Sequence, residues 1–394
     1  MSQDKTAFHC VVRLGQPGAN APIGPSPQLE LPAESFSAEF YSYSGNDRIS
    51  TKIDMYGVQD LIALSQNVIP LPIQLWAGFP GTVGSTNGLA LVFDGIVDEI
   101  KADYTTGYYE VSGRSWAYPL VNSKTPATFK GMKDGAVVQS LCAAVGLAYS
   151  DGGTPATNDA GKLLGKDFVL DGRNIRKWDL IVNLAKGAKR QVYVVGKTLY
   201  YVVALPDSQR VKRSLTWRQN LKKLEASHYA QFSHDIHVTV KNWHPGKKQQ
   251  TNGVHNNTVA RGRHRNRFAG PNAPKPSITP GRKAGATSTR LAAGSVSTNE
   301  NIVIHTTGGN QAQADAQAEA VWEEASRHEI IVTATIDGDP GLSIHDLFGV
   351  FGVGSVVSQN YHAKTLRHYY GDGEGYLCDL DLVNRLPDTT GLAL

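Results

Sequence analysis

YHAKTLRHYYGDGEGYLCDLDLVNRL, from Tyr361 to Leu386, places two strand-like runs around a glycine-rich centre. Gly371 to Gly375 (GDGEG) superficially resembles a calcium or phosphate loop. It lies, however, between TLRHYY and YLCDLDL, and glycine with aspartate is what a β-turn between two strands requires. Along the second run Asp379 and Asp381 fall on one face, because side chains alternate along a strand. Such a pair fits a glycosidase-like site or, more economically, a solvated or interfacial strand edge.

Outward from this hairpin the C-terminal region stays β-rich. HEIIVTATIDGD reads as a strand. LFGVFGVGSVV (Leu347 to Val357) is too short and too glycine-rich to cross a membrane and predicts a buried β-hairpin. An alanine-rich helix is predicted over about Asn310 to Arg327, preceded by a strand in NIVIHTTGG. Residues 1–112 have a similar character. SFSAEFYSYSG alternates apolar and polar at period two, and PIQLWAG, GLALVFDGIVDEIKADY and GYYEVSGRS follow between Gly, Asn, Pro and Thr-Thr-Gly separators. One helix is predicted near Tyr56 to Ser65. These runs fit a small antiparallel barrel or sandwich. Residues 113–206 differ. MKDGAVVQSLCAAVGLAY sets Val137, Val138, Leu141, Cys142 and Val145 on one helical face, and NIRKWDLIVNLAKGAKR does the same with Ile175, Leu180, Ile181 and Leu184. QVYVVGKTLYYVVAL then reads as two strands joined across Gly196-Lys197. The chain therefore divides into a first β unit (1–112), an α/β insert (113–206) and a second β unit (207–394).

Composition agrees. The 394 residues, 41% hydrophobic and 19% charged, fit a folded chain of two or three domains. Forty glycines and sixteen tyrosines favour a β-rich fold with many turns. Cys10, Cys142 and Cys378 are far apart and odd in number, so neither a disulfide framework nor a zinc ribbon is implied, and a reducing compartment is expected. MSQDKTAFHC lacks the basic-then-apolar pattern of a secretory signal, and the uncharged run from Leu61 to Phe93 is broken by Pro70, Pro72 and Pro80. No membrane anchoring is expected.

The net charge of +4 conceals a split. Eleven Lys or Arg and no Asp or Glu lie between Lys241 and Arg290, which leaves 28 basic against 35 acidic residues elsewhere, a body near −7. After Trp243 periodicity is lost, and a basic, flexible loop is predicted over about 244–300, with Lys247, Lys248, Arg261, Arg263, Arg265, Arg267, Arg282 and Lys283 as candidate partner-binding residues. Three readings fit it: an arm for an acidic protein surface, a solvated loop, or a nucleic-acid contact. Phe268 alone is a thin stacking platform for the last, and the acidic body would repel phosphate.

Signatures of catalysis are missing. G-x-S-x-G, a Walker lysine loop, H-E-x-x-H and a strand-borne G-x-G-x-x-G are all absent, and no catalytic residue, metal or cofactor is expected. His228, His234, His237 and His244 cluster in sequence, but His234 and His237 would point to opposite faces of one strand, which is poor chelating geometry. Cys142 falls on an apolar helix face, as expected for an inert core thiol.

Two stretches, YYEVSGRSWAYPLVNSKTP (Tyr108 to Pro126) and the sequence from the alanine-rich helix to Leu386, resemble the bacteriophage baseplate hub proteins of the late control protein D, or Mu-like, family, related to the hub part of type VI secretion spikes. Gly113, Arg114, Leu120, Val121 and Ser123 match its first motif, while Ser115 and Asn122 stand where the family often has aspartate. His368, Tyr370, Gly373, Gly375, Tyr376 and Leu380 match the second. The basic loop departs from the pattern as an insertion. The resemblance implies a β-rich α+β fold of two tail-tube-like antiparallel β-barrels with a small α/β domain between them. It implies a homotrimer whose six barrels seat a sixfold tail tube on one side and a threefold spike on the other. Expected partners are the tail tube or tube-initiator protein, the spike, and a baseplate wedge or tape-measure protein, with DNA only as passing cargo. The expected location is the virion tail tip, after synthesis in the host cytoplasm. Two alternatives are a tail-associated peptidoglycan hydrolase and a nucleic-acid-binding protein acting through the basic loop.

Overall fold

The computed structural model describes residues 8–15, 29–42, 44–56, 58, 60–67, 70–79, 88–164, 167–188, 190–203, 207–228, 237–244, 249–256, 301–307, 314–315, 318, 330–354, 357–371, 373 and 375–384. The first β unit holds β1 (His9–Leu14), β2 (Leu29–Pro32), β3 (Ser35–Tyr41), β4 (Arg48–Asp54), α1 (Leu61–Asn67), β5 (Pro72–Gly78), β6 (Ala90–Asp103) and β7 (Tyr108–Ser115). The insert holds α2 (Tyr118–Asn122), β8 (Thr128–Lys130), α3 (Asp134–Ala143), β9 (Ala148–Ser150), β10 (Lys162–Leu164), β11 (Asp167–Asp171), α4 (Lys177–Gly187), β12 (Arg190–Val195) and β13 (Thr198–Val203). The remainder is β14 (Lys212–Thr216), β15 (Leu221–His228), β16 (His237–His244), β17 (Gln249–Asn256), β18 (Asn301–Thr307), β19 (Ile330–Asp337), β20 (Leu347–Phe351), β21 (Asn360–Gly371) and β22 (Gly375–Asn384). The fold is β-rich α+β.

Alternation makes the strands. In β3, Phe36 and Ala38 are buried while the serines and Glu39 point outward; in β7, Tyr109, Val111 and Ser115 are buried while Tyr108 and Glu110 are exposed. Of the helical faces read from sequence, Val137, Val138, Leu141 and Cys142 of α3 and Leu180 and Ile181 of α4 enter the insert's own core, joined there by Trp178 and Ala185; Val145 and Ile175 lie beyond the helix ends and, like Leu184, pack partly buried against that core. The hairpin across Gly196-Lys197 is β12–β13.

The two β units repeat one another. In chain order β3, β4, β5, β6, β7 correspond to β15, β19, β20, β21, β22, and the pairing is the same in each set. First pairs with second, second with fifth, fifth with fourth and fourth with third, all antiparallel. In both, the fourth strand bulges against the fifth, between Val97 and Glu99 in β6 and between Ala363 and Thr365 in β21. A row of inward side chains, Phe36–Thr51–Val111–Ile100, crosses the first unit. The row Leu224–Ala334–Leu380–Leu366 crosses the second, at the same distance beyond the bulge. Each unit curls on itself. The ends of the first path, β2 and β3, are joined by Ala33-Glu34, whose amides donate to Cys10 O and Lys52 O on opposite sides of the fold. The ends of the second, β14 and β15, are joined by residues 217–220.

The two units join edge to edge. β3 of the first pairs antiparallel with β21 of the second, from Phe36↔Tyr370 to Tyr41↔Thr365, giving one 13-stranded sheet. One apolar core runs through both, from Val12, Leu75 and Val111 to Val332, Phe348 and Leu382. Each such buried side chain contributes about 1.5–3 kcal/mol relative to exposure.

Several expectations need correction. Leu347–Phe351 is a single strand, parallel to β14 on one side and antiparallel to β21 on the other, not one arm of an internal hairpin. Gly352 and Gly354 adopt positive φ and turn the chain out of β20. The first helix is Leu61–Asn67, later than expected. The region from 244 onward does not start as a loop, since Gln249–Asn256 pairs antiparallel with β16 in a separate sheet ordered β17-β16-β18. An edge strand is held by backbone hydrogen bonds and needs little apolar pattern.

Candidate functional site: the seam between the β units and its unpaired counterparts

The insert docks on the first unit through Trp116, whose Nε1 donates to Asp94 Oδ1 at 3.1 Å beneath Lys197, and through Trp178, whose ring lies against Gly45. It meets the second unit where the Tyr193 and His345 rings lie 4.4 Å apart, tilted at 44°. Burial lowers the His345 imidazole from the usual 6.5 to about 4, assisted by Arg210 and opposed by Asp346.

The sequence motif residues cluster at β3–β21. On the inner side, His368 is buried against Phe40, edge to face at 5.8 Å. Its Nδ1 shares a hydrogen bond with the Tyr376 hydroxyl at 2.7 Å and lies 3.2 Å from Cys378 Sγ. Burial lowers the imidazole to about 4, with the charge of Asp339 pulling the other way. The Cys378 thiol is pushed up to about 12 by burial, and the Tyr376 hydroxyl is raised by burial and by Cys378. A cysteine beside a histidine suggests a nucleophile, but this thiol is neutral and enclosed, so the trio is an internal lock. Tyr370 and Tyr376 lie under Phe8, at 4.6 Å to each, and Phe36 and Phe79 complete the group. Gly375 pairs with Gly371, and positive φ at Gly373 and Gly375 closes the turn, in the hairpin read from the sequence. The likeness to a calcium loop has no further support among the described residues.

On the outer side the seam is polar. Arg367 Nε donates to Ser37 Oγ at 2.9 Å and sits 3.7 Å from Glu39. Asp379 and Asp381 accept from the hydroxyls of Thr335 and Thr333 at 2.7 and 3.1 Å across the β19–β22 ladder. These carboxylates act as cross-strand partners. A shallow cleft opens among Ser35, Ser37, Ser50, Lys52, Arg367 and Tyr369.

The other motif marks the exit from the first unit. Gly113 is required by close approach, because a Cβ would lie 2.8 Å from Ile96 O and 3.0 Å from methyls of Ile49 and Ile73. Arg114 Nε pairs with Asp98 Oδ2 at 2.8 Å, and its guanidinium lies over Tyr118. Leu120 is buried in the insert core with Val121 packed against it. Lys247, Lys248, Arg261, Arg263, Arg265, Arg267, Arg282, Lys283 and His234 lie outside the described residues. The strands that flank 257–300 do not: Asn256 and Asn301 both pair opposite His237. That segment therefore begins and ends about 10 Å apart, two strand spacings, at one end of one small sheet.

Among the described residues two edges of the shared sheet are left open. Along β15-β19-β22-β21-β3-β4-β7-β6, β15 has β19 as its ladder partner, besides a single bridge from Leu221 to Trp217. β6 gives its first half, through Ile96, to β5, which leaves 98–103 paired on the β7 side alone. β21 is used in the same way. Its start pairs with β20 and its end with β3, so β6 lacks only a counterpart of β3. Ala226 of β15 lies opposite buried Val332 yet is itself exposed, as an uncovered edge requires. Neither the seam nor these edges were legible in the sequence, nor were Phe8 and Phe79 as parts of the site.

The fold is one found in phage tail proteins. The chain is similar to a tail protein from Neisseria meningitidis MC58, with a TM-score of 0.61 at 14% identity over 96% of this chain and 97% of that one. It is also similar to the 43 kDa tail protein of prophage MuSo2 from Shewanella oneidensis (TM-score 0.60, 11% identity, 96% and 98% covered). A third likeness is to the E. coli c3393 protein, a component of the type VI secretion system (TM-score 0.50, 7% identity, 90% and 74% covered). No family model and no curated protein sequence matches the chain.

Proposed function

We propose that this chain is a structural hub of a phage tail baseplate. Three copies close into a ring of six β units that adapts a sixfold tail tube to a threefold spike and forms part of the DNA conduit. The observation that carries this reading is the duplication together with the two open edges. β3–β21 is a fourth-to-first strand contact between units, and β6 with β15 of a neighbouring copy is the same contact. A contact that uses two different patches of the surface gives a closed ring when its rotation divides the circle. Register follows from the matched rows. Since Arg367 faces Glu39 within the chain, Lys101 faces Ser227 across copies, and Ala102 faces Ala226. The fold relationship to tail proteins supports the same assignment to the virion tail.

The outer face supports the conduit. It is polar, its acids (Glu39, Asp379, Asp381, Glu110) lie among serines and threonines, and Arg367 and Arg114 stand beside carboxylates. Arginines already set beside carboxylates give DNA little of the counterion release that drives adhesion, although Lys52 also lines this face. The chain's role in this reading is assembly, with no bond chemistry of its own. The basic segment after β17 reaches an acidic surface of another tail component, away from the conduit. The tube or its initiator, the spike, and a wedge or tape-measure protein are the partners. Oxidative cross-linking of a Lys101→Cys, Ser227→Cys variant tests the ring. The expected product is a disulfide-linked ladder ending at three chains. A monomer that never cross-links, or a ladder that continues past three, would sink the reading.

A further inference from the structure

The seam inside the chain shows what should happen at the seams between copies, and the step taken here rests on the ring proposed above. Within the chain, the tip of the β21–β22 hairpin is capped. Tyr370 and Tyr376 flank its turn and are covered by Phe8 and Phe79, which pack on each other at 5.4 Å. The origin of the capping pair is informative. Phe79 directly follows β5, the third strand of the first unit, and Phe8 directly precedes β1, which pairs with β5.

The second unit carries an aromatic pair near the corresponding end, though not at the same strand positions: through the matched bulges Phe351 stands where Trp76 does, three residues before the place of Phe79. Phe351 ends β20, the third strand of that unit, and Trp217 directly follows β14, which pairs with β20. The Trp217 amide donates to Phe351 O at 3.1 Å, so the two are adjacent. They are 37% and 46% exposed. The first unit in turn has the uncapped tip. Tyr104 and Tyr108 flank the turn of the β6–β7 hairpin, 80% and 36% exposed. Tyr56, 92% exposed, stands beside them through the Met55 amide on Gly107 O. Of these only Tyr104 repeats a capped residue, standing where Tyr370 does; large aromatic side chains left in water at both ends are nonetheless a cost unless a partner covers them. The register derived above runs β15 antiparallel to β6, which carries residues 217–220 of one copy to the β6–β7 tip of the next.

We infer that Trp217 and Phe351 of each copy close over Tyr104 and Tyr108 of the next, with Tyr56 at the rim. This aromatic clamp fastens each inter-copy seam, and its occupant is a second copy of this chain. Main-chain pairing between β6 and β15 sets the register, and the clamp supplies the tight, desolvated anchor that concentrates binding energy in interfaces.

The test measures mass against concentration for the full chain and three variants: Trp217→Ser with Phe351→Ser, Tyr104→Ser with Tyr108→Ser, and Val195→Ser, an exposed apolar control in the insert. Each aromatic pair is expected to raise the assembly midpoint at least tenfold. All four substitutions together are expected to be little worse than either pair, since both remove one contact. The control is expected to assemble like the wild type. Cross-linking through Lys101→Cys and Ser227→Cys separates the two proposals. If that link forms while the aromatic variants assemble at the wild-type concentration, the clamp is wrong and the ring stands. A wild-type chain that stays monomeric and does not cross-link overturns both. Wild-type affinity in the Trp217/Phe351 variant, with loss of binding to another tail protein instead, would assign the patch to that partner and overturn the clamp.

Discussion

Replacing His368 with Gln should flatten the response of stability to acid. In the folded chain His368 is enclosed between β3, β21 and β22. It faces Tyr376, Cys378 and Phe40, and the charge of Asp339 acts on it. Burial lowers its pKa from 6.5 to about 4. Between those values the unfolded chain takes up a proton that the folded chain refuses, so stability is present above pH 6.5 and drains away as pH falls towards 4. From pH 7 to pH 5 the loss for one such group is about 2 kcal/mol, with a limit of about 3 at lower pH. Gln accepts the Tyr376 hydroxyl without titrating. His345 contributes a loss of the same sign through its own lowered pKa, and Asp47, raised to about 6 by burial, a gain on acidification. Both are unchanged in the variant and cancel in the difference. Urea unfolding of wild type and His368→Gln at pH 7 and pH 5 reads the effect. The gap between them should shrink by about 2 kcal/mol on acidification. Curves that stay parallel across that range would show that the imidazole is not held neutral and that the seam is open to water.

Gly113→Ala should lower stability by about 1–3 kcal/mol, because the added methyl meets Ile96 O with no flexible group to yield; a thermal melt checks it. Gly338→Ala should cost a similar amount, since its Cβ lands in the ring of Tyr376, which His368 and Phe8 hold in place. Asp379→Asn and Asp381→Asn should leave a peptidoglycan zymogram of the purified protein blank, as for the wild type; clearing that depends on either residue would revive a hydrolase. Replacing residues 257–300 by a short glycine-serine linker should leave the melting temperature within about 2 °C, because both flanks pair opposite His237. If wild type bound DNA with nanomolar affinity at physiological salt and the shortened chain did not, the outward placement of the basic segment would be wrong.

Local chemistry made the hairpin at Tyr361–Leu386 legible, because glycines at its turn and alternating side chains on its arms act over a few residues. The same holds for α3 and α4, whose apolar faces repeat at helical spacing. The β3–β21 pairing joins residues more than three hundred positions apart, and nothing in SFSAEFY names its neighbour. β17 was missed because QQTNGVHN is a backbone-held edge without an apolar rhythm. Leu347–Val357 was misread as a hairpin because its glycines look like one turn, whereas those at 352 and 354 lead the chain away from β20. The basic residues of 244–300 named above lie outside the described residues. The site is made from lone aromatics at strand ends, such as Phe8 and Phe79, which gain meaning only once the fold brings those ends to the tip of the β21–β22 hairpin.

The central claim is that two like β units in each chain let three copies build a six-unit ring. Direct imaging of the assembled protein, with its mass measured in the same sample, tests it. The account expects three chains of 42.5 kDa each, about 127 kDa together, with six β units around one axis and β6 of each copy beside β15 of the next. A single compact chain within the tail, or a ring of any other copy number, would contradict it.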